Sequence, residues 1–273
     1  MTVGEALRAA ATRLAPVSDT ARLDAELLMA HLFGVTRSEL LLRHMRDPAP
    51  SGFPALVERR AAHEPVAYIT GTADFYGLTL CVTPATLIPR GDSETLVEAA
   101  LERAGPDGRA IDLGTGSGAL LLALLANLEG WEGAGIDASA GALAAAQRNA
   151  AALGLESRST WHLRDWRRAG WADDLGTFDL ILCNPPYVED GAELDRQVRD
   201  HEPASALFAG PEGLDDYRIL IPQLRALMNE GAAAILEIGA NQADAVGALA
   251  VAAGFTADLR RDLAARARAL VLR

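Results

Sequence analysis

Apolar positions in the first third of the chain recur at helical spacing. Leu7, Ala11 and Leu14 fall on one face, and so do Leu23, Leu27 and Leu28 and the apolar run at 40–42. Ser18 or Asp19 stands where it can cap the second of these helices, and Gly34 where it can end it. A third helix is expected over 54–62, stopping near Pro65. The period then changes. Tyr68, Phe75, Tyr76, Leu78, Leu80 and Val82 alternate around Gly71 and Gly77, which predicts a β-hairpin, and Pro84 and Pro89 stiffen its exit. From residue 91, strands and helices take turns. Helices are expected over 93–103, 119–128, 140–153, 215–228 and 242–253, with strands at 110–113, 133–136, 160–163, 178–183, 232–238, 255–259 and 269–272. Such alternation is the mark of a doubly wound α/β sheet. The pattern divides the chain into a helical domain (1–65), a hairpin linker (66–90) and an α/β domain (91–273). The helices of the first part are too few and short for an enzyme, which leaves a packing or substrate-docking module.

Composition narrows the setting. The chain has 273 residues, half of them apolar, enough for one large core and one small one. No stretch approaches the roughly 20 apolar residues that span a bilayer, and the N-terminus has no secretion-signal pattern. Cys81 and Cys183 stand far apart, and the five histidines (His31, His44, His63, His162 and His201) share no ligand spacing. A disulfide framework or metal site is therefore not expected, and the reducing cytoplasm is the expected compartment. All basic residues are Arg, and the net charge of −12 lies beyond residue 70. A duplex-DNA enzyme needs a cationic face, so the expected partners include neither nucleic acid nor membrane. The default oligomeric state is a monomer. The cluster Arg164, Arg167 and Arg168 reads as a solvated face, with an acidic partner as the alternative.

Two segments carry chemistry. The first is Asp112-Leu-Gly114-Thr115-Gly116-Ser117-Gly118, between a strand and a helix. Glycines there allow a sharp turn and close approach of a ligand. Asp137 ends the next strand, 23 residues after Gly114, near the separation at which an acid meets ribose hydroxyls. Gly114-x-Gly116-x-x-Ala119 also satisfies a dinucleotide fingerprint. Asp112 and the third glycine instead give D-x-G-x-G-x-G, which resembles the class I methyltransferases. That resemblance implies S-adenosyl-L-methionine as cofactor and S-adenosyl-L-homocysteine as product. Trp166 follows the third strand, where an aromatic ring can cover the adenine while Asp165 accepts from its amine.

The second segment is Asn184-Pro185-Pro186-Tyr187, directly after the buried strand 178–183. Pro185 holds Asn184 out of the helical region, and successive prolines keep an extended path without N–H donors. Two acceptors result, the Asn184 side-chain oxygen and the Pro185 carbonyl, matching the two hydrogens of a planar NH2 group. Holding both aims the nitrogen lone pair, and Tyr187 would lie on the planar group. Pro186 completes the turn. The first and fourth strands of the α/β domain should be neighbours, so that this loop faces the glycine loop. Glu237 would end its strand near this site or pair with an Arg.

An Asn-Pro-Pro-Tyr loop is shared by adenine amino-methyltransferases and glutamine amide methyltransferases, and by itself does not choose. The wider sequence resembles the PrmC/HemK family, which methylates the glutamine of the Gly-Gly-Gln motif in class 1 peptide chain release factors. The likeness runs through residues 64–71, 83–90, 112–118, 184–187 and 202–208, Gly213-Leu214, Tyr217-Arg218 and residues 236–239. It implies a helical N-terminal domain, a hairpin linker and a seven-stranded Rossmann-like catalytic domain. The resemblance also implies cofactor contacts at Gly114, Thr115, Gly116, Ser117, Gly118, Asp137, Trp166 and Asn184. The substrate glutamine would be held by Asn184, Pro185, Pro186 and Tyr187. One departure is Pro89-Arg-Gly91-Asp-Ser93-Glu94, where the family has proline at the position of Gly91. Glycine there loosens the turn.

Overall fold

The computed structural model describes residues 1–273 and separates into two compact units. The first comprises Met1–Thr72 together with Leu194–His201. Its leading helix, Val3–Leu14, begins with a reciprocal cap. Thr2 accepts from the Glu5 amide while the Glu5 carboxylate accepts from the Thr2 amide. Val3, Leu7 and Leu14 pack with Leu28, Met29, Leu40, Phe53 and Val57 in one core.

The second helix, Ala21–Phe33, departs from the expected face and cap. Leu28 is buried, but Leu23 and Leu27 are exposed. The face turned inward carries Asp24, Ala25, Leu28 and Met29, and Asp24 is buried because Arg60 pairs with it at 2.7 Å. Ser18 does not cap the helix either, because its hydroxyl donates to the Asp24 carboxylate at 2.7 Å. Neither does Asp19: Thr20 holds the N-cap position. Gly34 closes the helix in the left-handed conformation as expected. The run at 40–42 forms a π-helical turn, Leu40–His44, which buries Leu40 and leaves Leu42 outside.

The expected hairpin begins later than its alternation suggests. Val66–Thr70 is a short helix, with Pro65 before it and Gly71 ending it at φ 78°. Those two residues outweigh the β-propensity of Val66, Tyr68 and Ile69. The hairpin itself is β1 (Thr72–Phe75) and β2 (Leu78–Cys81), joined by Tyr76 and Gly77, both at positive φ.

The second unit comprises Ala73–Glu193 and Glu202–Arg273. It contains β3 (Asp107–Leu113), β4 (Gly130–Asp137), β5 (Ser159–Leu163), β6 (Phe178–Cys183), β7 (Met228–Glu237), β8 (Ala257–Arg261) and β9 (Ala267–Leu272). These form one seven-stranded sheet in the order β5-β4-β3-β6-β7-β9-β8. The first five strands pair in parallel and β9 runs antiparallel to both its neighbours. Ile111, Leu113, Ile181 and Leu236 lie in a core with Tyr217, Leu220 and Ile221 of the helix Asp215–Leu224. Leu121, Leu122 and Leu125 of the helix Ala119–Asn127 pack in the core on Leu180, Leu182 and Ile235. Burial on both faces explains why these strands read as unbroken apolar runs.

β3 lies between β4 and β6, and Leu113 pairs with Cys183 at the ends of the two strands. The glycine loop and the Asn184 loop therefore emerge side by side where the strand order reverses, the position at which such sheets bind ligands.

Candidate active site

A cavity of about 420 Å³ opens at this reversal. Its wall includes Asp112, Gly114, Thr115, Gly116, Ser117, Asp137, Asp165, Trp166, Asn184 and Pro186. Gly118 is not on the wall: it caps the following helix at φ 83°. Pro185 is buried, and neither it nor Tyr187 contributes to the wall.

The glycine loop is held from below and from one side. The amides of Gly114 and Thr115 donate to the Ile136 carbonyl at 3.0 and 2.8 Å. The Gly116 amide donates to Asp137 at 2.9 Å, and the Ser139 amide donates to the other Asp137 oxygen at 2.8 Å. Each oxygen keeps a lone pair, so Asp137 can still accept from two hydroxyls. Trp166 spreads over the loop, with its ring 3.0 Å from where a Cβ on Gly114 would stand. The indole N–H donates to Asp216 at 2.8 Å.

Asp216 is a site residue that the sequence did not single out. It is 0% exposed yet lines the cavity, and it receives Trp166 and both Nε and Nη2 of Arg167. The arginine cluster next to it is ion-paired along the surface: Arg167 pairs with Asp216 at 2.8 Å and Arg164 with Asp174 at 2.9 Å. Arg168 approaches Asp165 at 3.6 Å. The cluster is a solvated face, with Arg167 and Arg168 exposed, and its charges have acidic neighbours within the chain.

Asp112 is the most perturbed acid on the wall. Burial, joined by the nearby charge of Asp137, pushes its pKa up to about 7, against a donated bond from Thr115 at 2.7 Å. Its Oδ1 has no partner. A buried acceptor without a donor is costly, and a cationic or N–H-bearing ligand would relieve that cost. The glycine cradle, the unpartnered Asp112 and the carboxylate of Asp137 together suit a ligand with a positive charge at one end and a diol elsewhere.

These shifts fix the sign of the pH dependence. Asp112 binds its proton more tightly folded than unfolded, so its contribution is fullest below its unfolded value near 3.8 and is lost as pH rises through about 7. Burial raises Asp137 and Glu237 as well. We expect the ligand-free chain to lose stability between about pH 4 and about pH 7, and Asp112→Asn to flatten part of that slope in urea melts. An unchanged slope would show that Asp112 is not the titrating group.

The Asn184 loop is tied on its outer side. Gln242 Nε2 donates to the carbonyls of Tyr187 at 3.0 Å and Gly213 at 3.2 Å, while its oxygen accepts from the Gly239 amide at 3.0 Å. The Pro185 carbonyl takes no hydrogen bond from the chain. Asn184 Nδ2 donates to Ser93 Oγ at 3.5 Å. The Tyr187 hydroxyl donates to Glu237 Oε1 at 3.1 Å, and burial and the Glu237 charge push the tyrosine pKa up. Glu237 ends β7 beside this loop, 2% exposed. The segment around Gly91 is anchored despite its glycine. Arg90 pairs with the buried Glu202, and Asp92 accepts from Arg266 and Arg268, both at 2.9 Å. A Cβ at Gly91 would meet nothing within 4 Å.

The doubly wound sheet with a glycine loop and a neighbouring Asn-Pro-Pro-Tyr turn at its reversal defines a methyltransferase. Comparisons with known proteins give the family. Residues 5–71 match the PrmC N-terminal domain and residues 91–201 the methyltransferase small domain. A release factor glutamine methyltransferase of Rhodospirillum rubrum is 42% identical over 92% of this chain and 78% of its own. One of Cereibacter sphaeroides is 42% identical over 93% and 91%. The chain belongs to the release factor glutamine methyltransferase family. A solved methyltransferase from Pyrococcus furiosus shares the fold at TM-score 0.53 and 16% identity, covering 82% of this chain and 98% of that one.

Proposed function

We propose that the chain transfers the methyl group of S-adenosyl-L-methionine to the side-chain amide nitrogen of the glutamine in the Gly-Gly-Gln motif of class 1 release factors. The observation that carries this reading is the placement of Asn184 on the cavity wall, beside the glycine loop, with its Nδ2 turned to Ser93 and its oxygen free.

The bound cofactor supplies an electrophilic methyl group on a sulfonium. Within the cleft, Asp112 and the Gly114–Gly118 loop take its charged amino-acid end, Asp137 its ribose hydroxyls, and Trp166 with Asp165 its base. The buried carboxyl of Asp112, with one oxygen unpartnered, favours a cation there. An amide nitrogen is a poor nucleophile because its lone pair is delocalised into the carbonyl. Asn184 Oδ1, on the wall, accepts one amide hydrogen. The Pro185 carbonyl, off the wall but without a bond from the chain, becomes the acceptor of the other once the substrate reaches it, which fixes the plane of the group and aims the lone pair. Pro186 and Tyr187 hold that turn. Positioning is the main catalytic contribution, and no residue need act as base, since the N-methylated cation is acidic enough to lose its proton to water and the donor would leave as S-adenosyl-L-homocysteine. No helix is long and apolar enough to cross a membrane. A monomer in the cytoplasm acting on protein, with no direct nucleic acid contact, completes the reading.

The deciding experiment is peptide mass mapping of a release factor after incubation with the chain and methyl donor. One added methyl on the Gly-Gly-Gln glutamine is the expected result. Label entering nucleic acid alone would instead favour an adenine amino-methyltransferase.

A further inference from the structure

We infer that Asp216 is a positioning residue that fixes the Trp166 ring in the seat of the cofactor's base, and ties that seat to the Asn-Pro-Pro-Tyr turn. This deepens the proposed function and rests on the reading of Trp166 as the cover of the adenine. Trp166 stands on the irregular segment after β5, where neither a strand ladder nor a helix holds it, and it is only half-buried. That backbone does not decide where the ring turns. The indole is polar at one edge alone, its N–H, so a hydrogen bond there selects one orientation.

The ring is gripped at both ends. On its five-membered side the N–H donates to Asp216 Oδ1 at 2.8 Å. On its six-membered side Cη2 and Cζ3 lie 3.0 and 3.1 Å from where a Cβ on Gly114 would stand, so glycine leaves the ring that place. Asp216 can hold the bond because it is itself held. It is fully buried on the first turn of the helix Asp215–Leu224 and receives Nε and Nη2 of Arg167. Two consecutive residues of the loop, Trp166 and Arg167, thus end on one carboxylate. Gln223 follows about two helical turns later and shares the face of Asp216. It accepts from the Trp171 indole at 2.6 Å and donates to the Trp166 carbonyl at 3.4 Å. The helix is anchored in turn to the acceptor side. The Tyr217 hydroxyl donates to the Glu237 carbonyl at 2.6 Å, and Gln242 bridges the carbonyls of Gly213, just before the helix, and Tyr187. One helix therefore runs from the ring to the turn that carries Asn184, and Asp216 is its point of contact with the ring.

The test reads the affinity for S-adenosyl-L-homocysteine by calorimetry, and the change in tryptophan emission on saturation with it. Asp216→Asn keeps the size of the side chain but turns one acceptor oxygen into an NH2 group, so the indole and the guanidinium compete for a single oxygen. Affinity should fall about tenfold, and the loss in turnover should lie more in the KM for S-adenosyl-L-methionine than in kcat. The part of the emission change that Trp166→Phe removes should shrink. In the Trp166→Phe background, which has no N–H to hold, Asp216→Asn should add nothing to the loss, whereas a merely structural Asp216 would weaken both backgrounds alike. Benzothienylalanine in place of Trp166 keeps the two fused rings and puts sulfur where the N–H stands. It should lose affinity by the same factor, and it carries the test if Asp216→Asn proves unfolded in urea melts. A folded Asp216→Asn with unchanged affinity, an equal loss in both backgrounds, or full affinity in the sulfur analogue would overturn this inference alone. A wild type that binds no S-adenosyl-L-homocysteine, or whose affinity is untouched by Trp166→Ala, would overturn the reading of the cofactor site beneath it.

Discussion

Replacing Asn184 with alanine should lower kcat on release factor by about 10²–10³-fold while leaving cofactor affinity nearly intact. Asn184 is half-buried, and its single side-chain bond within the chain is the long one to Ser93, so its removal costs the fold little. It does remove the acceptor that holds one amide hydrogen, and a freely turning amide keeps its lone pair in its own π system. Cofactor affinity, carried on this reading by Asp112, Asp137 and the glycine loop, should survive. Single-turnover rates together with calorimetry of S-adenosyl-L-homocysteine separate the two effects. Normal turnover in the variant would remove Asn184 from the chemistry.

Gly213→Ala should produce the largest loss of stability, about 2–4 kcal/mol in urea unfolding, with a fall in kcat. Gly213 sits at φ 65°, and an added Cβ would collide with the Tyr187 carbonyl oxygen. That carbonyl and the Gly213 carbonyl are bridged by Gln242, so the loop cannot yield on one side without losing a bond on the other. Gly254 supplies the control. It has φ 84°, and a Cβ added there would meet nothing within 4 Å. Gly254→Ala should therefore cost only the backbone strain of about 1–2 kcal/mol and spare kcat. Equal losses of stability and activity in both variants would mean that the Tyr187 contact does not matter.

Much of the architecture was legible because it rests on local pattern. Buried runs such as 178–183 and 232–238 need no partner to be read as strands, and the adjacency of β3 and β6 follows from the rules of doubly wound sheets. The glycine loop and the diproline turn announce themselves by residue types that few other conformations require. Where two local signals compete, pattern fails. Tyr68 fitted the strand alternation, yet Pro65 and Gly71 bracket a helix. Leu23 and Leu27 fitted a core face, yet the pairing of Asp24 with Arg60 turned the helix by burying a charge instead. The missed parts of the site share one cause. Asp216 meets Trp166 and Arg167 from about 50 residues away, and Gln242 reaches Tyr187 across 55. Nothing in their neighbourhoods in sequence marks those encounters. The raised pKa of Asp112 is likewise a property of its enclosure and of Asp137, which no motif records.

The smaller unit is completed by Leu194–His201, a stretch that the chain reaches only after building β6 and the Asn-Pro-Pro-Tyr turn. The boundary between the units is therefore crossed three times, and no single cut liberates either one. Cleavage after Thr72 would release a helical fragment lacking its last piece, and would leave the larger body carrying a segment whose neighbours had gone. The two units share one synthesis order: the first cannot be finished until the second is more than half made.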